Sequence, residues 1–173
     1  MSILKTDRLL KILIGVLLVA LGWVVSDSFQ ERLVLVGDRA PDFKIVTDGG
    51  RSITRSNFGG RLLVLNFWAT WCPPCIEEMP SLNEFQRRLS SQGVVVLGVS
   101  VDKSEKVYRE FLRKANVSFQ TARDPEADIS AEYGTFKFPE TYVIDSKGRV
   151  VQKHIGARNW SDEQLLTEIR SLL

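Results

Sequence analysis

Both cysteines of this 173-residue chain stand two residues apart, in Asn66-Phe67-Trp68-Ala69-Thr70-Trp71-Cys72-Pro73-Pro74-Cys75. The apolar run 62–68 comes directly before them, and a segment with apolar residues at helical spacing comes directly after. A buried strand that turns into a helix at a Cys-x-x-Cys is the sequence form of a redox dithiol on a βα turn. The first turn of a helix offers unpaired N–H groups and a partial positive charge, both of which favour an anion. With Cys72 as N-cap, its sulfur lies where a thiolate is stabilised. Cys75, one turn on, can reach that sulfur to close a disulfide or to resolve a mixed one. Pro73 suits the first helical position, whereas Pro74 removes one of the N–H groups an N-cap normally receives. A moderately, not strongly, stabilised Cys72 thiolate is therefore expected.

Zinc needs about four ligands, and beyond this pair the chain offers only one histidine, His154. No metal is expected. As a purely structural clip the pair would close a loop too short to remove much unfolded-state entropy. The 23 basic and 21 acidic residues, a net charge of +2, are interspersed and form no stripe for nucleic acid.

Residues 9–25 are apolar except for Lys11. As a helix they rise about 25 Å, the lower limit for crossing a hydrocarbon core. Lys5, Arg8 and Lys11 lie on the N-terminal side and Asp27 and Glu31 follow. That asymmetry keeps the N-terminus in the cytoplasm and exports the rest. A cleaved signal peptide is the competing reading, but Ala20-Leu21-Gly22 is a poor cleavage site and the apolar run continues through Val25. The expected organisation is a cytoplasmic tip and anchor over 1–26, a tether over 27–36 with a short strand at 33–36, and one folded domain over 37–173.

Within that domain, residues 43–46 and 51–53 flank Asp48-Gly49-Gly50 as a hairpin. Strands are expected at 62–68 and 94–101, joined through the helix after Cys75 by a right-handed crossover that makes them parallel. Ile76, Met79, Leu82, Phe85 or Gln86, and Leu89 form that helix's core stripe, and Pro80 should kink it. A helix over 104–115 should turn Val107, Phe111 and Leu112 inward, followed by a short strand at 117–119 and a short helix at 128–133. Strands 141–144 and 150–153 form an edge hairpin. Ser161-x-x-Gln164 reads as a capping box for a last helix with Leu165, Leu166, Ile169 and Leu172 buried. His154 reads as surface chemistry of no consequence, Trp68 as core, and Trp71 as an exposed docking surface. The fold class is α/β, with a central mixed sheet flanked by helices.

The cysteine run, with Ala40-Pro41-Asp42-Phe43 before it and Phe138-Pro139-Glu140-Thr141 after it, resembles the thioredoxin superfamily. It is most similar to the membrane-anchored, extracytoplasmic ResA/TlpA/CcmG (DsbE) type of thiol-disulfide oxidoreductase associated with cytochrome c maturation. The resemblance covers roughly residues 37–160. It implies a thioredoxin fold with an N-terminal β-hairpin addition and a helical insertion, preceded by one transmembrane helix. Asn66 stands where similar thioredoxins carry a buried aspartate that moves protons for the second cysteine, so a carboxylate has to come from elsewhere. Glu78 lies three residues beyond Cys75 on the same helix face, in the family pattern Cys75-x-x-Glu78-x-Pro80. It is expected to carry a proton for Cys75. The resemblance also implies a cis peptide before Pro139, facing the cysteines, with the backbone of Phe138 pairing with an extended substrate.

The expected site is therefore Cys72, Cys75 and Glu78 for catalysis, with Trp71, Pro73, Phe138 and Pro139 meeting the substrate. No cofactor beyond the Cys72–Cys75 disulfide is implied. The partners implied are protein disulfides, those of apocytochrome c or its oxidant, a membrane thiol electron donor, and the bilayer itself through the N-terminal helix. The location implied is the bacterial cytoplasmic membrane, single-pass, with the catalytic domain on the periplasmic side. Rival readings are a disulfide oxidant or isomerase, a thiol peroxidase, and a membrane-tethered binding module with a structural disulfide. No histidine lies between the cysteines, against the first. The Pro-x-x-x-Thr-x-x-Cys arrangement is absent, against the second, since Asn66 is not proline and Thr70 stands only two before Cys72.

Overall fold

A computed structural model describes the backbone of residues 3–28 and 33–173 and the side chains of 11–24 and 33–173. The chain divides into two units, Met1–Arg32 and Leu33–Leu173. In the first, helix α1 runs Ile3–Ser28, and every described side chain of it is exposed. The segment 9–25 expected to be a membrane anchor is thus helical, but it extends beyond the described side chains at both ends. Among the described residues no helix is long and apolar enough to cross a membrane.

The second unit is built on the strand that leads into the cysteines. β1 (Lys44–Val46) and β2 (Ser52–Thr54) form the small antiparallel hairpin. β3 (Leu62–Trp68) and β4 (Val94–Ser100), each buried along its whole length, are parallel neighbours. β5 (Gln120–Arg123) extends the parallel side, while β6 (Glu140–Asp145) and β7 (Val150–Ile155) add antiparallel strands on the other. The sheet order is β5-β4-β3-β6-β7. Four α-helices complete the unit, α2 (Pro73–Leu89), α3 (Glu105–Ala115), α4 (Asp128–Glu132) and α5 (Glu163–Ser171), with a 3-10 turn over Ser90–Gln92 after α2.

Successive strand residues point to opposite faces, and β3 divides its side chains accordingly. Leu63, Leu65 and Phe67 pack with the hairpin's Ile45 and Ile53 and with Tyr133 and Tyr142. Leu62 and Val64 pack with Leu82, Phe85 and Leu89 of α2 and with Leu165, Leu166 and Ile169 of α5. Asn66 has the parity of the second face, which directs the one polar side chain of the strand toward α2. Gly98 on β4 is required by close approach, since a Cβ there would lie 2.8 Å from the Phe119 ring and 3.0 Å from the Trp68 indole nitrogen.

The structure departs from expectation at the margins. Residues 33–36 form no strand, although the Val34 N–H donates to Tyr133 and the Gly37 N–H to Val150. Strand β5 begins at Gln120, beyond the expected 117–119, because Phe119 turns into the core under α2 instead. On α3 the inward stripe is Tyr108, Phe111 and Leu112, and Val107 is exposed. Tyr108 can be buried because its hydroxyl donates to Asp48 on the hairpin turn. The last helix is capped by Asp162, whose carboxylate accepts from Gln164 N at 3.0 Å and Leu165 N at 3.1 Å. Ser161 donates instead to Asn159, and Leu172, already at the C-cap, stays one-third exposed.

Candidate active site

β3 ends at Trp68, and the chain turns through Ala69–Cys72 with the Cys72 N–H donating to the Ala69 carbonyl at 3.2 Å. Cys72 is the N-cap of α2 in extended conformation, and its sulfur accepts from Cys75 N at 3.3 Å. Pro73 and Pro74 occupy the first two helical positions and have no N–H to offer. The Cys75 N–H is the first donor that the cap sulfur meets. The two cysteines form a disulfide with Cα atoms 5.3 Å apart. Both belong to a small apolar cluster with Trp68, Ala69, Met79, Val101 and Tyr108. Cys72 is 5% exposed and Cys75 1%, so both are buried and Cys72 is the less so.

Around the disulfide, Trp71 is 64% exposed and meets the edge of the Phe138 ring at 5.9 Å between centroids. Phe138 also packs on the cysteine cluster. The Phe138–Pro139 peptide is cis, Pro139 is buried, and Pro73 is exposed. Phe136, which sequence reasoning passed over, is 72% exposed two residues before Phe138.

Glu78 lies on the buried side of α2, 3% exposed. Asn66 Nδ2 donates to its Oε1 at 2.8 Å and to Thr141 Oγ1 at 2.9 Å. The Trp160 indole N–H donates to Oε2 at 3.1 Å and the Arg158 backbone N–H at 3.2 Å. Ser81 ties the 158–160 loop to α2, donating to the Glu78 carbonyl and accepting from Trp160 N. Burial pushes the Glu78 pKa above the ordinary carboxyl range, and the bonds from Trp160, Arg158 and Asn66 oppose that rise. A cleft of about 280 Å³, lined by Glu77, Glu78, Ser81, Ala157, Arg158 and Asn159, opens beside the carboxyl. Neighbouring Glu77 is exposed.

His154 is not the inert surface residue expected. It is partly buried, meets the Trp160 ring edge-on at 5.5 Å, and its Nδ1 accepts from the Arg158 guanidinium at 2.6 Å. Since arginine only donates, Nε2 carries the ring proton toward Gln152. Burial, then the Arg158 charge, holds the imidazole down to about 4, so it is neutral at pH 7. Arg158 and Trp160 carried no motif signal, because one acts through its backbone and the other is a lone aromatic in a loop.

The Trp160 bond yields a direct expectation. Trp160→Phe removes one of three donors to a buried carboxylate and should cost about 1–3 kcal/mol in stability. It should also raise the Glu78 pKa further, as measured by carbon-detected NMR titration. An unchanged titration would show that the indole does not help hold the carboxylate.

Residues 36–153 match the AhpC/TSA family model. The chain is 31% identical to the thiol-disulfide oxidoreductase ResA of Bacillus thuringiensis subsp. konkukian, over 94% of this chain and 95% of that one. It is 35% identical to the thioredoxin-like protein YneN of Bacillus subtilis, over 84% of this chain and 90% of that one. Among solved structures it is similar to a protein described as a thiol:disulfide interchange protein DsbE from Chlorobium tepidum. That match has a TM-score of 0.73 and 31% identity, and covers 80% of this chain and 98% of that one. StoA from Bacillus subtilis matches with a TM-score of 0.65 and 26% identity, over 74% and 96%.

Proposed function

The chain belongs to the AhpC/TSA family, and from that premise we propose that it is a protein-disulfide reductase of the ResA/DsbE type whose working dithiol is Cys72 and Cys75. The observation that carries this reading is the pair itself, a disulfide at the N-terminus of α2 with the less buried of the two cysteines at the cap.

In the reduced protein the Cys72 thiolate attacks one sulfur of a substrate disulfide. A Cys72–substrate bond forms, and the substrate's other sulfur leaves as thiolate. Cys75 then gives up its proton and attacks the Cys72 sulfur, releasing the substrate's second thiol. Two electrons pass to the substrate, and the Cys72–Cys75 disulfide returns. Glu78, one turn beyond Cys75, takes the Cys75 proton and passes it to solvent along the cleft at Arg158 and Asn159. Trp71, Pro73 and Phe138 present the apolar surface on which the substrate segment lies, and the cis Pro139, itself buried, shapes the turn that sets Phe138 there.

The cell-level reading is narrower. Residues 9–25 anchor the chain in the bacterial cytoplasmic membrane with the domain on the periplasmic side. A membrane thiol carrier supplies electrons, and the disulfide reduced is that of apocytochrome c or of its oxidant. The charges flanking 9–25, the exposed apolar side chains of α1 and the ResA relatives support this reading. Cells lacking the chain should lose c-type cytochromes and regain them when a small dithiol is added to the medium. Normal cytochrome levels in such cells would overturn the maturation role and leave the exchange chemistry standing.

A further inference from the structure

At the end of β4 a second buried carboxyl lies close to the dithiol. Asp102 is 3% exposed. Its Oδ2 accepts from Thr70 N at 2.9 Å and from Ser100 Oγ at 2.6 Å, and its Oδ1 accepts from Thr70 Oγ1 at 2.6 Å. Ser100 is wholly buried and in turn accepts from Asp102 N at 3.1 Å. The nearby Arg123 guanidinium is directed elsewhere, donating to the carbonyls of Asp102 and Lys103 and pairing with Glu105. All the described donors to the Asp102 carboxyl are therefore neutral. A buried carboxyl supported only by neutral donors is costly to keep, and both ends of Thr70 are what it holds.

Thr70 is the second residue of the turn that carries Trp71 and Cys72. With its N–H and its hydroxyl both held by Asp102, the backbone and χ1 of Thr70 are fixed. That restrains the direction in which the next two residues leave the strand. β4 is itself held beside β3, with Val101 N donating to the Trp68 carbonyl at 3.0 Å. The clamp therefore connects the approach to the nucleophile directly to the sheet.

We propose that Asp102, supported by Ser100, is a positioning residue that fixes Thr70 and thereby holds the Trp71 face in register beside Cys72 for protein substrates. The assignment rests on the exchange chemistry of Cys72 and adds to it a specificity element. A small disulfide needs only the sulfur, whereas a protein disulfide also needs the Trp71 face held in register. Misplacement of about 1 Å costs up to about 10²-fold where orientation matters.

The test uses the full chain and two probes, insulin as protein disulfide with dithiothreitol as reductant, and 5,5′-dithiobis(2-nitrobenzoate) as small disulfide mixed with the pre-reduced protein after dithiothreitol is removed, because dithiothreitol reduces that probe directly. Thr70→Val keeps the side-chain shape and loses the hydroxyl donor, and Asp102→Asn keeps the size and loses one acceptor. Each should lower kcat/KM for insulin about tenfold, chiefly through KM, and alter the small-disulfide rate by less than about twofold. Thr70→Ser, which retains the hydroxyl, should match wild type on both probes. Should Asp102→Asn fail to fold, as its melting curve would show, Thr70→Val and Thr70→Ser decide alone. The clamp is overturned if Thr70→Val matches wild type on insulin, or if it loses both probes equally. A wild-type chain that turns over neither probe would overturn the exchange reading and the clamp with it.

Discussion

Cys72→Ser should abolish disulfide exchange, lowering kcat/KM by roughly 10⁴-fold or more, whereas Cys75→Ser should complete the first half of the reaction and stop. The difference follows from the two positions. Cys72 is at the helix cap, where its sulfur accepts an N–H, and it is the less buried residue of the pair, while Cys75 is almost wholly buried. Attack therefore starts at Cys72, and without Cys75 nothing releases the mixed disulfide that forms. Incubating reduced Cys75→Ser with insulin should give a stable covalent adduct on non-reducing electrophoresis, absent from Cys72→Ser and from the double variant. Adducts forming equally through either cysteine would contradict this division of roles.

The second large effect is expected at Glu78. Glu78→Gln retains the shape but cannot take a proton, and loss of a positioned base costs about 10²–10⁴-fold in the step it serves. The affected step is release by Cys75, so the mixed disulfide should accumulate in the variant during turnover. With solvent as the only base, release in the variant should quicken as pH rises toward the range of an ordinary thiol, about 8.5. The deficit is then widest between the raised folded pKa of Glu78 and that range, and it closes above it. The same shift makes a stability statement. The folded pKa lies above the ordinary 4.5, so the contribution of the protonated group is fully present below 4.5 and is lost as pH rises through the folded value. Relative to wild type, Glu78→Gln should therefore gain stability as pH rises through that window. Denaturant midpoints at several pH values test this, and parallel pH curves for the two proteins would show that Glu78 titrates alike in the folded and unfolded chain.

What could be read from sequence was local. The strand 62–68, the cap at Cys72 and the helix after Pro73 are neighbours in the chain, and their residue types agree with one another at each step. Glu78 was reachable because three residues along a helix is a fixed spatial relation. Its partners were not reachable in that way. Asn66 meets it only because alternate residues of β3 face α2, and Trp160, 82 positions away, arrives through the loop between β7 and α5. His154 read as inert because nothing in its own surroundings along the chain reveals that Arg158 and Trp160 enclose it. In sequence Asp102 is only the residue that follows the strand 94–101, and its hold on Thr70 exists because the parallel crossover lays β4 beside β3. The misplaced margins have the same origin. Tyr108 displaced Val107 from the core because its hydroxyl found Asp48, and Asp162 displaced Ser161 as the cap because its carboxylate reaches two N–H groups at once.

The reduction potential of the Cys72–Cys75 pair, equilibrated against glutathione and dithiothreitol and read by thiol alkylation, tests most directly whether this chain is a reductase. The two prolines leave the cap sulfur one N–H, so the reduced form gains little stabilisation, and a strong oxidant is one whose reduced form is strongly stabilised. A potential below about −220 mV is expected. A value above about −150 mV would make the chain an oxidant, and a bond that resists reduction well below about −300 mV would make it a structural clip, so either would contradict the assignment.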